Sequence, residues 1–343
     1  MATAAIIGSG AWGTALACQA ARCGHRVRMW ALEPEVVEEI NERHTNSLYL
    51  PDVPLPEGIR AASEAAEVVH GAALVVLVPP SKYLRAVATS VARAVAADAL
   101  LVVATKGIEE TTLALMSQVL AEAMPHVGTD RLAFLSGPSF AREVAKGLPT
   151  DVVVASRGMV AAQAVQPLLH SPLFRVYTSS DPVGVQVGGA VKNVIAIATG
   201  ACDGLGFGNN ARAALITRGL AEITRLGIAL GADPLTFLGM AGVGDLVLTC
   251  IGDLSRNRTL GKKVAEARIR RPTWPAIARS PRGSPPRPPP TSCHGISRWK
   301  CRSPRTSSTC CTGAVRSRRL CRSSSAASSG MSCTGSADHV RLG

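Results

Sequence analysis

Residues 3–13 read TAAIIGSGAWG: five strand-like residues run straight into Gly8-Ser9-Gly10-Ala11-Trp12-Gly13, and helix formers follow to about Cys23. Three glycines at this spacing, between a strand and a helix, leave few folds open. Gly8 permits the tight turn, Gly10 lets the backbone approach a pyrophosphate, and Gly13 lets the helix sit close on the strand, with the anion at the helix N-terminus. The expected ligand is therefore a dinucleotide. A second strand is expected over residues 26–30, and Glu33 stands about 20 residues after Gly13. A carboxylate there binds a ribose 2′-hydroxyl and repels a 2′-phosphate, which leans toward NAD over NADP. The other reading is a solvated acid heading the helix PEVVEEINER.

Further strands are expected at residues 73–78, 100–104, 132–135, 151–155 and 174–177, with helices between them. Alternation of this kind implies an α/β fold with a parallel, doubly wound sheet. Pro79 and Lys106 fall at the carboxyl ends of strands, where such sheets bind ligands, so Lys106 can meet a phosphate or the reacting oxygen. The segment SGPSFA, residues 136–141, supplies free amides and the Ser139 hydroxyl, or else it is only a helix cap.

A long apolar helix should follow. Asp181 can cap it, Pro182 suits its first turn, and about five turns are expected. Lys192 falls mid-helix. A lysine there either snorkels to the surface or is desolvated, with a lowered pKa that lets it exchange protons near neutrality, and the spacing leaves both open. Gly188 and Gly189 weaken the helix and so suggest a close approach by backbone or ligand. In GMAGVGDLVLTC, residues 239–250, Asp245 is the lone acid and needs a cation; Lys192 is a candidate. The run Ser255-Arg256-Asn257-Arg258 suits a phosphate or a diol, or is a helix N-terminal loop with surface arginines.

Charge sorts the function classes. The formal net charge of +13 suggests a nucleic-acid partner, but residues 1–267 hold 22 Lys+Arg against 23 Asp+Glu, and residues 268–343 hold 15 against 1. Cys18, Cys23, Cys202 and Cys250 are scattered, as in a protein with reduced thiols. No signal peptide is evident, and no apolar run of 18 residues is free of polar interruption, so a soluble, cytoplasmic chain is expected.

Taken in order, GSGAWGTALA, ATKGIE, SGPSFAREV, GVQVGGAVKNVIAIATG, NNARAALITRGLAEITRLG, GMAGVGDLVLTC and SRNRTLGKK resemble bacterial NAD(P)-dependent glycerol-3-phosphate dehydrogenases, from Met1 to about Glu266. The resemblance implies a Rossmann-type domain at residues 1–180 and an all-helical substrate domain, left incomplete, at residues 181–267. It makes Lys192 the proton acceptor, with Lys106 and Asp245 as its catalytic partners. Substrate contacts fall to Lys106, Gly137, Ser139, Lys192, Asp245, Ser255, Arg256 and Asn257. Contacts to NAD or NADP fall to Gly8, Gly10, Ala11, Trp12, Gly13, Lys106, Ala141 and Arg256, with Glu33 added by the spacing argument. No metal is implied. The expected partner is the small-molecule substrate, glycerol 3-phosphate or dihydroxyacetone phosphate, for glycerophospholipid synthesis, with a homodimer as the assembly and neither nucleic acid nor membrane. Ala11 stands where the family often has serine. Leu32 stands where it has histidine or arginine, which weakens the case for NADP. The alternatives are another hydroxyacid dehydrogenase of the same two-part build, or a nucleic-acid binder acting through the basic tail.

Residues 268–343 carry nine prolines, six cysteines and no sustained helical periodicity, so this tail is expected to be disordered. Permitted codons for WKCRSPRTSSTCCTG, residues 299–313, read two nucleotides later, yield EMPITEDVVHVLYRG, which resembles the family's C-terminal helix region. A frameshift with its junction near Glu266 is the expectation.

Overall fold

The computed structural model describes residues 1–270, with side chains to residue 267. Of the basic tail only residues 268–270 are described, as the end of a helix that starts at Arg256, and the expectations for residues 271–343 lie outside the described residues. The strands are β1 (Thr3–Ile7), β2 (Arg26–Trp30), β3 (Ile59–Ala62), β4 (Leu74–Leu77), β5 (Leu100–Val103), β6 (Leu132–Ser136), β7 (Thr150–Ala155) and β8 (Phe174–Ser179). Between them run α1 (Ala11–Arg22), α2 (Pro34–Glu38), α3 (Ala65–Val69), α4 (Ser81–Val91), α5 (Met116–Ala123), α6 (Ala141–Ala145) and α7 (Val160–Leu169).

The sheet order is β3-β2-β1-β4-β5-β6-β7-β8. The first six strands are mutually parallel, with Thr3 opposite Arg26 on one side of β1 and Ala4 opposite Leu74 on the other. This is the doubly wound order, and its direction reverses between β1 and β4, where such folds take their ligands. Two features depart from the sequence expectation. β3 is an additional short edge strand, and the β7–β8 pair runs antiparallel to β6. Alternate strand residues feed opposite faces. Ile6 packs with Leu16, Met29 and Val102 on one side, and Ile7 packs with Leu77, Leu84 and Leu101 on the other.

The helical part comprises α8 (Pro182–Gly204), α9 (Gly208–Ala229), α10 (Asp245–Ile251) and α11 (Arg256–Arg270), with a 3-10 turn at Pro234–Leu238 and a π-turn at Met240–Gly244 before α10. Asp181 caps α8 as expected, accepting from the Gly184 amide at 2.8 Å, and Pro182 opens the first turn. α8 outruns the expected five turns, reaching Gly204, and α9 begins at Gly208. Among the described residues α8 is the helix long and apolar enough to cross a membrane, with mean hydropathy 1.3. Here it is a core helix: Val187, Ala196, Ile223, Phe237 and Leu246 form a third apolar cluster around it. Glycines set its distance from its neighbours. A β-carbon at Gly188 would strike the Ala241 carbonyl, one at Gly200 the Arg258 carbonyl, and one at Gly261 of α11 the Ile197 carbonyl. α8 therefore packs backbone against backbone, as the glycine pair at 188–189 suggested.

Candidate active site

The glycine-rich turn joins β1 to α1. Gly8 has φ +127°, and an added β-carbon would lie 3.2 Å from the Val78 carbonyl group at the end of β4. A β-carbon at Gly13 would meet the Gly8 carbonyl, so this glycine seats α1 on β1. At Gly10, by contrast, a β-carbon meets nothing within 4 Å. The side of Gly10 that faces open space is where a pyrophosphate can approach the α1 amides. Ala11 and Trp12 form the first turn of α1, half-buried, and Trp12 Nε1 is buried with no partner among the described residues. These features fit a dinucleotide. Glu33 follows β2 at the head of α2, as expected, and its Oε1 accepts from Tyr49 Oη at 2.7 Å.

The second group of residues assembles at the carboxyl ends of β5 and β6, beneath α8. Lys106 follows β5, and its Nζ donates to the Gly137 carbonyl at 3.0 Å and to Asp245 Oδ2 at 2.7 Å. Gly137 follows β6 with φ +139°, so close to β7 that a β-carbon would lie 3.0 Å from Val152 Cα. Ser139 Oγ donates to the same Gly137 carbonyl at 3.0 Å, and Ala141 opens α6. Across the gap, Lys192 on α8 is 7% exposed, so it is a buried amine and not a snorkelling one. Its Nζ donates to Asp245 Oδ1 and, at 2.9 Å, to Thr249 Oγ1. Thr249 in turn donates to the Asp245 carbonyl at 2.6 Å. Asp245, the first residue of α10, is 1% exposed and joins both lysines, which accounts for a lone acid in an apolar segment. Ser136 Oγ, buried next to Gly189, has no partner among the described residues.

Burial drives the Lys192 ammonium down to about 7, and the positive charge of Lys106 pushes the same way against the opposing pull of Asp245. A neutral amine carries two N–H bonds and one lone pair. With Asp245 and Thr249 taking the N–H bonds, the lone pair is left to accept a proton, and the protonated form has a third N–H to return it.

Ser255, Arg256 and Asn257 are not hydrogen-bonded into this cluster. Ser255 is buried and its Oγ accepts from the Arg258 amide at 3.2 Å, capping α11. Arg256 is exposed at the start of that helix, and none of the three side chains hydrogen-bonds Lys192, Asp245 or Lys106. Arg258 is half-buried and pairs with Asp203 at 2.8 Å, tying α11 to α8, and with the exposed Asp253 at 2.9 Å. Sequence reasoning did not single out Thr249 or Tyr49. For Thr249 a signal was present, since it lies four residues after Asp245 and so shares its helix face.

Comparison with known proteins agrees with this architecture. Residues 3–162 match the family profile of the NAD-dependent glycerol-3-phosphate dehydrogenase N-terminus, and residues 181–274 that of its C-terminus, running past the junction expected near Glu266. Glycerol-3-phosphate dehydrogenase [NAD(P)+] of Geobacter sp. (strain M21) is 52% identical over 264 residues, 77% of this chain and 79% of the relative. That of Anaeromyxobacter dehalogenans is 51% identical over 265 residues, 77% of this chain and 80% of the relative. The crystal structure of glycerol-3-phosphate dehydrogenase from Coxiella burnetii superposes with a TM-score of 0.73 at 42% identity, covering 77% of this chain and 80% of that one.

Proposed function

The chain belongs to the NAD-dependent glycerol-3-phosphate dehydrogenase family, and on that premise we propose that it interconverts sn-glycerol 3-phosphate and dihydroxyacetone phosphate with NAD or NADP, in the cytoplasm and for glycerophospholipid synthesis. Residues 1–180 hold the dinucleotide through Gly8, Gly10, Ala11, Trp12, Gly13 and Glu33, and residues 181–267 bring the proton-transferring group. The nicotinamide, when bound, supplies the hydride-transfer chemistry. Lys192, in its neutral form, takes the proton from the substrate hydroxyl during oxidation. During reduction the protonated Lys192 returns it to the carbonyl oxygen. Asp245 and Thr249 hold the amine in one orientation, and Lys106 presents positive charge to the oxygen or the phosphate. Ser139, Asn257 and Arg256 are assigned to the substrate, and Ala141 and Arg256 to the dinucleotide.

The observation that carries this reading is the buried Lys192 amine, hydrogen-bonded to Asp245 and Thr249 beside a second lysine. Its test is Lys192→Ala, which should abolish turnover while leaving dinucleotide affinity nearly intact. A variant that keeps most of its rate refutes the assignment.

For residues 268–343 the reading is an out-of-frame tail. Besides the codon argument, it is supported by the apolar side chains left exposed on adjoining helices of the helical part, Val194 and Ile197 on α8 and Leu260 and Val264 on α11. The competing nucleic-acid reading requires a salt-dependent DNA affinity that is lost when the residues after Glu266 are removed.

A further inference from the structure

The loop between α2 and β3 ties together two ends of the dinucleotide site. Asn46, fully buried, donates from Nδ2 to the Ser9 carbonyl and to Thr14 Oγ1, both at 2.9 Å, so it grips the glycine-rich turn from below. Its Oδ1 accepts from the Tyr49 amide at 3.3 Å, and its carbonyl accepts from the Leu50 amide at 2.8 Å. Buried Glu39 fixes the start of the loop, accepting from Thr45 Oγ1 at 2.7 Å, the Ser47 amide at 2.9 Å and Ser47 Oγ at 3.0 Å. Leu50, Val53 and Leu55 are buried behind it. The loop is thus anchored at its start, middle and end, and it carries the Tyr49 hydroxyl to the Glu33 carboxylate at 2.7 Å.

We propose that this loop is a selectivity strap in which Tyr49 is a positioning residue for Glu33, holding its carboxylate where it accepts the ribose 2′-hydroxyl and repels a 2′-phosphate, so that this chain prefers NAD over NADP. The inference rests on the dinucleotide reading above. Three observations carry it. One Glu33 oxygen is engaged by Tyr49, which orients the group and leaves its other oxygen to accept from a ribose hydroxyl. Among the described residues Glu33 makes no ion pair, its side-chain partner being Tyr49, and its neighbour Leu32 is an exposed apolar side chain that offers no charge to a phosphate dianion. Asn46 contacts both the Ser9 carbonyl and the Tyr49 backbone, so the distance between the pyrophosphate turn and the ribose carboxylate is held by one side chain. The hydrogen bond to Glu33 also raises the Tyr49 phenol above its ordinary value, keeping it a donor.

The test measures binding on the full chain, so it does not depend on turnover. Dissociation constants for NADH and NADPH are obtained by fluorescence titration for the wild type, Glu33→Gln, Tyr49→Phe and the double variant. The wild type should bind NADH about tenfold or more tightly than NADPH, the size expected for a carboxylate facing a phosphate dianion in a wet site. Glu33→Gln should bring the ratio close to one, chiefly by improving NADPH. Tyr49→Phe should lower the ratio roughly threefold, as expected for one lost orienting hydrogen bond. The double variant should match Glu33→Gln, because Tyr49 acts through Glu33. If Tyr49→Phe weakens both cofactors equally and leaves the ratio unchanged, its role is structural and the inference is overturned. A wild type that binds the two equally, or prefers NADPH, overturns it as well while leaving the dehydrogenase reading intact. Binding of neither dinucleotide by a chain whose circular dichroism shows it folded overturns both.

Discussion

The Lys192 assignment has a quantitative consequence for pH. A group pulled from its ordinary value of 10.5 to about 7 is half neutral at neutral pH. Oxidation of glycerol 3-phosphate needs the neutral amine, so its rate should rise about tenfold per pH unit below 7 and level off above it, standing at roughly one tenth of the plateau at pH 6. Reduction of dihydroxyacetone phosphate needs the protonated amine and should fall about tenfold per unit above 7. The perturbation that isolates the cause is Lys106→Met. Removing that charge relieves part of what depresses Lys192, so both inflections should move to higher pH. The assay is kcat/KM against pH in both directions, which reports the groups of the free enzyme; the position of the inflection is what is read, whatever Lys106→Met does to its height. The stability linkage has a definite sign. Between about pH 7 and 10.5 the unfolded chain holds a proton on Lys192 that the folded chain does not, so this group's contribution makes the fold more stable as pH rises through that window, and its cost is present in full below pH 7. An oxidation rate that climbs without a break to pH 10 would refute the buried-amine argument. So would a Lys192→Met variant with residual activity and the same inflection.

Arg256 is exposed at the head of α11, and if it has the proposed role of contacting substrate phosphate or cofactor, Arg256→Lys should lose the planar donor fork and raise the KM for glycerol 3-phosphate by about an order of magnitude; an unchanged KM counts against that role. Restoring the reading frame after Glu266 should raise the thermal midpoint and the rate of dihydroxyacetone phosphate reduction, because the exposed apolar residues of α8 and α11 would gain cover. Equal melting and equal rates in the two forms would show the tail as written to be a functional part of the protein.

The strand, glycine-rich turn and first helix were legible in residues 3–23 because each depends on neighbours within a few positions: apolar run, three glycines, helix formers. The cap at Asp181 and the glycines at 188 and 189 were legible for the same reason. β3 was not, since Ile59–Ala62 is four residues long and too short to show a sustained alternation, and the reversed direction of β7 is a property of sheet assembly, not of its residues. The state of Lys192 was undecidable along the chain, where a snorkelling lysine and a buried one share one pattern. It was decided when α8 came to lie over β6 and under α10, which set Asp245 and Thr249 on its amine and Lys106 across from it. Tyr49 and Glu33 met in the same way, through a loop whose anchors at Asn46 and Glu39 have no local pattern. Short-range periodicity carries the elements because backbone hydrogen bonds and alternation are local. Burial, and the pKa values and donor partners that follow from it, belong to whichever distant segments exclude water from a side chain, and that exclusion exists only once the chain has folded.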